Sequence, residues 1–412
     1  MKSILIIVPF DNIYPPMNGG MQRCFHIMHQ LAKHFELTAI IHQDKKSFLK
    51  CVEEFPAMAE AKIFSTQGVE VKDALSLFSD RLENALRSRW YQRELNRPAD
   101  GSLIKYYSIL TQLLKSKKFD AIILENLATL NAVKIIRRYD KEVKIIYNAH
   151  NVDSNLAKAA FDRKEISLGQ LQGYHDFENN LYKNVDAIFT CSDDDRKIFE
   201  EMNRGQLKVF VVPNGVNIPE RKYDEAVKEQ IPRFLIFCGS LWSVPNAEGL
   251  YWFCKKIWPL ILNEFPGLKL LVVGIGTLPG KYSEAYNTPS IEFSGVVEDV
   301  KPWYNKAAIS VAPLLTGSGT RLKILEAMGM GVPVISTSIG AEGIEFTNGN
   351  QILIADAEKE FANTVIQLLN DKEKRISISK AARKLAEEKY DWNVIGQNMA
   401  SFINNAFIPK IS

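Results

Sequence analysis

The chain has 412 residues, of which 46% are hydrophobic and 24% charged, and its formal net charge is +3. At about 100–200 residues per domain, this length predicts two or three domains, each large enough to bury its own core. The composition excludes a disordered or collagen-like chain, and the small net charge excludes the dense basic surface typical of nucleic-acid-binding proteins. No apolar run approaches the roughly 18 residues that a membrane-spanning helix needs.

The five cysteines are widely spaced, lie mostly in apolar segments and form no C-x-x-C pair. This pattern predicts buried free thiols in a reducing compartment and offers no ligand set for a structural zinc ion. Met1 is followed almost at once by an apolar run that is typical of a strand, so the start of the chain lacks the pattern of a secretory signal peptide. We therefore expect a cytoplasmic location.

Short β-branched runs alternate with helical periods along nearly the whole chain, which predicts a parallel α/β fold. In the first half, a helix is predicted at 21–34, where apolar residues recur at intervals of three and four. The strands predicted in this half are 4–9, 37–41, 121–124, 144–147 and 187–190. A second series follows residue 230, with strands predicted at 234–238, 268–273, 291–293, 309–312 and 332–336.

The two series are separated by a segment that begins at Pro213, ends at Pro219 and contains few apolar residues. Its prolines and glycine make it the best domain boundary in the chain. We therefore predict two doubly wound, Rossmann-like domains at 1–215 and 216–391. Because ligands bind at the carboxyl ends of the strands in such sheets, the chemistry is expected in a cleft between the two domains.

A glycine-containing loop at 316–320 follows a predicted strand and opens a helix. Gly317 and Gly319 leave backbone N–H groups accessible, and the positive end of the helix dipole points at the loop, which suits phosphate. Arg321 and Lys323 add positive charge in the first turn, where cations are unfavourable unless an anion binds there.

Glu326 lies in the middle of this otherwise apolar helix. A carboxylate there is costly unless it is paired, and it could accept two hydrogen bonds from a vicinal diol such as ribose. The alternative is that Arg321 and Glu326 form a surface ion pair while the glycines only turn the chain.

The segment from Gly317 to Glu326, with the Gly-Val-Pro-Val-Ile-Ser that begins at Gly331, resembles the donor-binding signature of glycosyltransferase family 4. These are retaining enzymes of the group 1 type with the two-domain GT-B fold. The similarity extends in outline over the chain, through the glycine loop near the amino terminus, the middle histidine His150 and the Pro-Asn-Gly-Val linker at Pro213.

The resemblance implies transfer of a sugar from a nucleotide-diphosphate sugar to a glycan or lipid-linked acceptor, in the synthesis of cell-surface polysaccharide or glycoconjugates. It implies an acceptor-binding first domain, a donor-binding second domain and no metal or other cofactor. It also implies that the last helix, 392–412, packs back on the first domain. The rate would come from stabilisation of the departing diphosphate, since no pair of residues in the chain reads as a nucleophile and an acid.

In the family, the second glutamate of the signature holds the nucleotide ribose, and this position is Glu326. The first glutamate binds the donor sugar, but here its position is occupied by Ser318. Family members often place an arginine and a lysine after the first strand of the second domain, whereas this chain has Gly239-Ser240 and no lysine follows. We therefore hypothesise that Arg321 and Lys323 supply the missing charge at the diphosphate.

These considerations define the predicted site in the second domain. Val296 and Val297 are expected beside the base, and the backbone of the glycine loop is expected at the phosphates. The residues predicted to bind the donor are Gly239, Ser240, Val296, Val297, Gly317, Ser318, Gly319, Thr320 and Glu326. The residues predicted to act in catalysis are His150, Arg321 and Lys323.

The loop at 11–20 joins the first strand to the first helix. Gly19 and Gly20 let the backbone approach a ligand at the strand end, and the resemblance implies a contact to the acceptor and the donor phosphate. Arg23, one turn into the helix, is expected to assist. The alternative is a loop in which the glycines only turn the chain.

His150 comes directly after a predicted strand, in the segment Tyr-Asn-Ala-His-Asn-Val-Asp. A lone histidine is often structural, but this one lies at the carboxyl end of a strand, where ligands bind in such sheets. In similar enzymes a histidine here contacts the donor sugar near the reacting carbon.

Two segments superficially resemble a dinucleotide-binding loop and a metal site. The run at 273–280 has the spacing G-x-G-x-x-x-G and an intervening proline, so it does not fit a dinucleotide-binding loop. The acidic run Ser192-Asp-Asp-Asp195 follows a strand and precedes a helix, so we interpret it as a helix cap and predict no metal site there.

Five arginines lie close together with Trp90 and Tyr91 among them, and three of them recur every fourth residue, on one helix face. A solvated helix face is one interpretation. The other is a surface for anionic lipid headgroups or a lipid-diphosphate acceptor, which would bring the cytoplasmic protein to the inner membrane surface. These arginines are Arg81, Arg87, Arg89, Arg93 and Arg97.

Two other functions stay open from the sequence. Ser318 and Ser240 favour a catalytically inactive nucleotide-sugar-binding protein that acts as a partner or scaffold. A nucleotide-sugar epimerase on the same two-domain fold is disfavoured by the signature from Gly317 to Glu326.

Overall fold

The computed structural model of the chain describes residues 1–16, 18–69, 102–218, 234–276, 282, 288–317 and 319–407. The chain divides into two compact units. Unit 1 comprises Met1–Val212 and Gly396–Ser412, and unit 2 comprises Pro213–Ile395. The sequence analysis places the divisions after residues 215 and 391, close to these positions. The arginine cluster at 81–97 and Ser318 lie outside the described residues.

Unit 1 is built around a seven-stranded sheet in which neighbouring strands are parallel. The order across the sheet is β3-β2-β1-β4-β5-β6-β7. β1 and β4 are buried throughout, as expected for central strands of a parallel sheet. The strands are β1 (Ser3–Ile7), β2 (Glu36–Ile41), β3 (Lys62–Ser65), β4 (Ala121–Glu125), β5 (Lys144–Asn148), β6 (Ala187–Thr190) and β7 (Lys208–Val211).

Seven α-helices connect these strands within the described residues. Four of them begin at a side-chain N-cap, formed by Asn18 at α1, Asp44 at α2, Ser167 at α6 and Ser192 at α7. Ser192 accepts a hydrogen bond from the N–H of Asp195, which confirms the interpretation of the acidic run. The helices are α1 (Gly19–His34), α2 (Lys45–Phe48), α3 (Ser102–Ser116), α4 (Ala132–Tyr139), α5 (Asp153–Asp162), α6 (Leu168–Glu178) and α7 (Asp193–Met202).

Unit 2 contains a six-stranded parallel sheet with the order β10-β9-β8-β11-β12-β13. Its strands are β8 (Phe234–Cys238), β9 (Lys269–Val273), β10 (Ile291–Gly295), β11 (Ile309–Ala312), β12 (Val334–Ser336) and β13 (Ile352–Ile354). Its helices are α8 (Val244–Trp252), α9 (Trp258–Glu264), α10 (Lys301–Lys306), α11 (Leu322–Gly329), α12 (Glu358–Asn370) and α13 (Lys372–Leu385).

Helix α14 (Trp392–Ser401) and a π-helical turn at Phe402–Phe407 follow. From Gly396 on, these residues belong to unit 1. A Cβ atom at Gly396 would lie 2.3 Å from Oε1 of Gln30 on α1, so the backbone of α14 approaches α1 closely. Phe402 stacks on Phe210 of β7 with 4.5 Å between the ring centroids. This segment is therefore packed into unit 1.

Every strand predicted from the sequence is present in the structure, and the parallel α/β fold is confirmed. Three further strands, β3, β7 and β13, were not predicted, and each lies at the edge of its sheet. β3 and β7 are partly exposed and begin with a lysine, so they lack the continuous apolar run of a central strand, and β13 has only three residues. The cysteines are free, and four of the five are buried, as predicted. Of the helices in the described residues, none combines the length and apolar character that spanning a bilayer requires.

Candidate functional site

The glycine loop near the amino terminus and His150 are neighbours in unit 1. Gly19 is the first residue of α1, and the side chain of Asn18 accepts a hydrogen bond from the N–H of the third helical residue. A Cβ atom at Gly20 would lie 3.2 Å from Cζ of Phe10 and 3.6 Å from Nδ1 of His150. The absence of a side chain at Gly20 therefore lets the backbone of the loop approach Phe10 and the imidazole ring closely.

The imidazole of His150 is bound to a buried carboxylate. Its Nε2 atom lies 2.8 Å from Oε2 of Glu125, the last residue of β4, which is 0% exposed. Asn148, the register partner of Glu125 on β5, donates from Nδ2 to both carboxylate oxygens at 2.9 Å. The sequence analysis missed Glu125. An acidic residue directly after an apolar strand run was the signal that could have found it, because ligand sites lie at strand ends in such sheets.

Arg23 is held inside unit 1 and is 1% exposed. Its Nη2 donates to Oδ1 of Asn148 at 2.6 Å, and its Nη1 donates to the carbonyl oxygen of Val212 at 2.7 Å. The sequence analysis expected Arg23 to assist the glycine loop at a phosphate. In the structure, the guanidinium is instead hydrogen-bonded to two buried protein groups, so Arg23 supports Asn148.

The carboxylate of Glu125 is ionised despite its burial. Burial raises its pKa, but the hydrogen bond from His150, the charge of Arg23 and the hydrogen bond from Asn148 lower it, and the net pKa is below the ordinary value. Burial and the neighbouring Glu125 raise the pKa of Cys24 well above its ordinary value. Cys24 therefore stays a thiol, which donates to Oε2 of Glu125 at 3.3 Å.

Within the described part of the chain, one group of side chains has the composition of a metal site. The ligand atoms of Cys24, Glu125 and His150 all lie within 4.8 Å of one another, and thiolate, carboxylate and imidazole are zinc ligands. Binding a cation there would require Cys24 to ionise against its raised pKa and would place the cation close to Arg23. The residues fit a hydrogen-bonded network better than a metal centre, and the expectation of no metal stays a prediction.

The predicted donor site of unit 2 is assembled from loops at the carboxyl ends of its strands. Helix α11 begins at Leu322, slightly later than the sequence predicts, because Arg321 has the extended backbone of an N-cap residue. Gly239 and Ser240 follow β8, Val296 and Val297 follow β10, and Gly317, Gly319 and Thr320 lie between β11 and α11.

Lys323 on α11 reaches the loop after β8. Its Nζ donates to Oδ1 of Asn246 at 2.7 Å and lies 4.3 Å from the centroid of the Phe237 ring. A Cβ atom at Gly239 would lie only 2.8 Å from this Nζ atom. The amino group of Lys323 therefore lies beside the Gly239-Ser240 loop. This is the loop in which the chain lacks the arginine and lysine that members of the family often have. Asn246, which also donates to the carbonyl oxygen of Ser240 at 2.9 Å, is a second residue that the sequence analysis missed.

Arg321 lies against the glycine loop before α11. A Cβ atom at Gly317, whose φ is +119°, would lie 2.8 Å from Nη2 of Arg321. Burial lowers the pKa of Arg321, and the charge of Glu342 opposes this shift. Both predicted cations therefore lie at the start of α11, one beside each of two loops. The helix dipole is also positive at this end, so the arrangement favours an anion.

The other predicted donor residues differ in exposure. Glu326 is partly buried on α11, one turn after Lys323. Thr320 is only 8% exposed. Val296 is 67% exposed, whereas Val297 packs against the core of unit 2, so only Val296 presents an open apolar side chain for a base.

Gly274, after β9, has no room for a side chain because the backbone there packs closely against the loop after β8. A Cβ atom there would lie 1.9 Å from the carbonyl oxygen of Gly239, which is backbone and cannot move aside cheaply. Gly274→Ala is expected to destabilise unit 2 by about 1–3 kcal/mol, which lowers its unfolding temperature by several degrees. Scanning calorimetry would measure the change. Gly267→Ala is the matched control, because a Cβ there meets nothing within 4 Å; equal unfolding temperatures for the two variants would contradict the prediction.

Two family models match the chain. Residues 61–220 match a model described as Glycosyltransferase Family 4, and residues 232–371 match a model described as Glycosyl transferases group 1. The chain therefore contains two glycosyltransferase domains. The first match lies almost wholly in unit 1 and includes Glu125 and His150, and the second lies in unit 2 and includes Lys323 and Glu326.

Two relatives are similar to the glycosyltransferase over most of their length. It is 25% identical over 331 residues to a 44.6 kDa protein in the cps region of Klebsiella pneumoniae, and this alignment covers 75% of this chain and 83% of that protein. It is 22% identical over 340 residues to the capsular polysaccharide biosynthesis glycosyltransferase CapM of Staphylococcus aureus, and this alignment covers 74% of this chain and 88% of CapM.

Solved structures share the fold of the glycosyltransferase. HepE from Anabaena, in complex with UDP and glucose, superposes with a TM-score of 0.65 at 15% identity, covering 98% of this chain and 99% of HepE. Sucrose-phosphate synthase from Thermosynechococcus elongatus superposes with a TM-score of 0.71 at 14% identity, covering 99% of each chain. At such identities the likeness concerns the fold alone, and it confirms the predicted GT-B fold.

Proposed function

We propose that this glycosyltransferase transfers a sugar from a nucleotide-diphosphate sugar to a glycan or lipid-linked acceptor in the synthesis of capsular or related cell-surface polysaccharide, with retention of the anomeric configuration. The observation that carries the proposal is the position of Lys323. Its ammonium lies beside the Gly239-Ser240 loop, at the positive end of α11 and close to the glycine loop that Arg321 contacts. This combination of charge, dipole and accessible backbone suits a diphosphate.

The relatives support the class of substrate. CapM is named for capsular polysaccharide biosynthesis, and HepE has been solved with UDP-glucose. In our proposal, Glu326 holds the ribose, Val296 lies beside the base, and Lys323 and Arg321 stabilise the diphosphate as it departs. Unit 1 binds the acceptor through the loop at Gly20.

The proposal is tested by a thermal-shift screen with UDP-, GDP- and ADP-sugars, followed by transfer assays with the sugar that stabilises the protein. Proton NMR of the anomeric coupling in the product distinguishes retention from inversion. Treatment with EDTA is expected to leave the rate unchanged, because Arg321 and Lys323 supply the charge that a metal would otherwise provide. Donor binding without turnover on any acceptor would contradict an active transferase and support the inactive nucleotide-sugar-binding protein.

Attachment to the inner surface of the cytoplasmic membrane is a separate part of the proposal. It rests on the spacing of the arginines at 81–97, three of which recur every fourth residue. Co-sedimentation with vesicles that contain anionic lipid, but not with neutral vesicles, is the expected result. Equal co-sedimentation of the protein with anionic and with neutral vesicles would contradict the proposed membrane attachment.

Donor affinity is expected to fall as the pH rises from 7 to 9. Burial lowers the pKa of Lys323 to about 7, with a smaller contribution from Arg321 and an opposing one from Cys238, so the donor-free protein loses the Lys323 charge over this range. A diphosphate favours the protonated lysine, so affinity declines by up to about tenfold per pH unit above 7 and is level below it. Titration calorimetry from pH 6 to 9 measures this. In Lys323→Arg the charge persists and the affinity stays level; a level profile for the unmodified chain would contradict the prediction.

A further inference from the structure

A hydrogen-bonded network lies behind His150 in unit 1, and the direction of each bond in it is fixed by chemistry. A guanidinium group has only donors, so the atom of Asn148 that faces Arg23 at 2.6 Å must be the carbonyl oxygen of its amide. The Nδ2 group of Asn148 then faces Glu125, where it donates to both oxygens at 2.9 Å. The amide orientation of Asn148 therefore follows from its neighbour.

The same reasoning fixes the proton on His150. The ionised carboxylate of Glu125 can only accept hydrogen bonds, so Nε2 of His150, at 2.8 Å from Oε2, must carry a proton. In the neutral ring, the other nitrogen is then a bare acceptor. The Cys24 thiol gives Oε2 a second donor at 3.3 Å, so the carboxylate is well supplied with donors.

The bare nitrogen faces the glycine loop. Nδ1 of His150 lies 3.6 Å from the Cβ position of Gly20, and the residues that the structure describes provide no hydrogen-bond partner for Nδ1. Phe10 stacks on the ring with 5.8 Å between the centroids and an angle of 24° between the planes, which restricts its rotation. An acceptor atom of defined position is thus held beside the backbone of Gly20.

We propose that Glu125 is a positioning residue that holds His150 as the Nε2–H tautomer, so that Nδ1 accepts a hydrogen bond from a hydroxyl group of the substrate sugar. The proposal rests on the proposed sugar transfer for its substrate, but the tautomer itself is a property of the protein alone. Asn148 and Arg23 form the outer part of the same arrangement, because they orient the carboxylate. Arg23, anchored on the carbonyl oxygen of Val212, thus acts at a distance from any ligand.

A purely structural role for the network is the competing explanation, since buried carboxylates also stabilise folds. Glu178 provides the matched control for it. This glutamate is 0% exposed in the same unit and accepts hydrogen bonds from the N–H groups of Asp153 and Ser154, at 2.7 and 3.1 Å. Glu178→Gln therefore removes a buried carboxylate of unit 1 without touching His150.

The experiment measures the tautomer and the kinetics of the unmodified chain, Glu125→Gln and Glu178→Gln. Nitrogen NMR of the chain labelled with ¹⁵N-histidine reports the protonated ring nitrogen of His150, whose signals are assigned from a His150→Gln sample. The unmodified chain and Glu178→Gln are expected to show the Nε2–H tautomer. In Glu125→Gln the amide replaces one acceptor oxygen by a donor, so the Nδ1–H form appears.

The kinetic expectation follows from the tautomer. Glu125→Gln is expected to lower kcat by about 100-fold, because the hydrogen bond from the sugar to Nδ1 is lost. The KM for the donor changes less than about threefold, since the nucleotide is proposed to bind unit 2. Glu178→Gln keeps kcat within about threefold, even where its unfolding temperature falls.

Several results would overturn the proposal. An Nδ1–H tautomer or a stoichiometric zinc ion on Nε2 in the unmodified chain would overturn it. Because this test needs no variant, the proposal can be tested even if Glu125→Gln does not fold. An unchanged tautomer or an unchanged kcat in folded Glu125→Gln would also do so. If the proposed sugar transfer were wrong and the tautomer proposal right, the Nε2–H tautomer would be present but no pair of donor and acceptor would give a product.

Discussion

Replacing Lys323 by methionine is expected to weaken nucleotide-sugar binding by about 10- to 100-fold while raising the unfolding temperature of the donor-free protein. A charge-assisted hydrogen bond to phosphate contributes about 1.5–3 kcal/mol, which is the origin of the lost affinity. The stability should rise because burial disfavours the ammonium of Lys323, and methionine fills similar space without a charge. Titration calorimetry and thermal unfolding measure the two changes, which have opposite signs.

Lys359→Met is the control for this prediction. Lys359 is exposed in the first turn of α12, so its replacement is expected to change neither donor affinity nor unfolding temperature appreciably. Arg321→Ala should also weaken donor binding, since Arg321 lies against the glycine loop before α11. If both variants bound the donor as tightly as the unmodified chain, the hypothesis that these cations hold the diphosphate would be wrong.

Glu326→Ala is expected to remove most of the stabilisation that the donor gives to unit 2, with a loss of affinity of about 100-fold or more. Two hydrogen bonds from a ribose diol to an ionised carboxylate account for an effect of this size. Calorimetric titration and donor-dependent thermal shift both report it. Glu326→Gln should give an intermediate loss, because the amide keeps one acceptor oxygen but lacks the charge.

A 2′-deoxyribose donor makes this second prediction specific to the sugar of the nucleotide. The unmodified chain should bind it more weakly than the ribose donor, whereas Glu326→Ala should bind the two alike, because the partner of the hydroxyl is gone. Glu298→Ala, at an exposed residue of the same unit, is the control and should keep the preference for ribose. A ribose preference that persists in Glu326→Ala would show that another residue holds the diol.

The central strands of both sheets were predictable because burial on both faces imposes a continuous apolar run, as in β1 and β4. The edge strands β3 and β7 were not, since partial exposure admits polar residues into their short sequences. Strand β13 is apolar but only three residues long, too short a run to indicate a strand. The start of α11 was placed near Thr320, whereas the structure begins it at Leu322, because the extended backbone of Arg321 ends the loop.

The candidate site was predictable where it is local in the sequence. The glycines, Arg321, Lys323 and Glu326 belong to one loop and one helix, so their spacing alone indicated an anion site. Glu125 was missed because a single acidic residue after an apolar strand run is a weak signal when its neighbours in space are unknown. Its meaning depends on β5, which lies beside β4 and brings Asn148 and His150 to it.

The sequence by itself determined the two parallel α/β domains and the glycine loop with two cations at the start of α11, because strand burial, helical periodicity and helix-start charge are properties of neighbouring residues. Only the tertiary structure decided two other matters. Lys323 lies against Gly239, and Arg23 connects through Asn148 and Glu125 to His150. Both arrangements join side chains from separate strands and helices. Such contacts depend on the order of strands in the sheet and on the space that a glycine leaves, and neither is encoded in the spacing of residues along the chain.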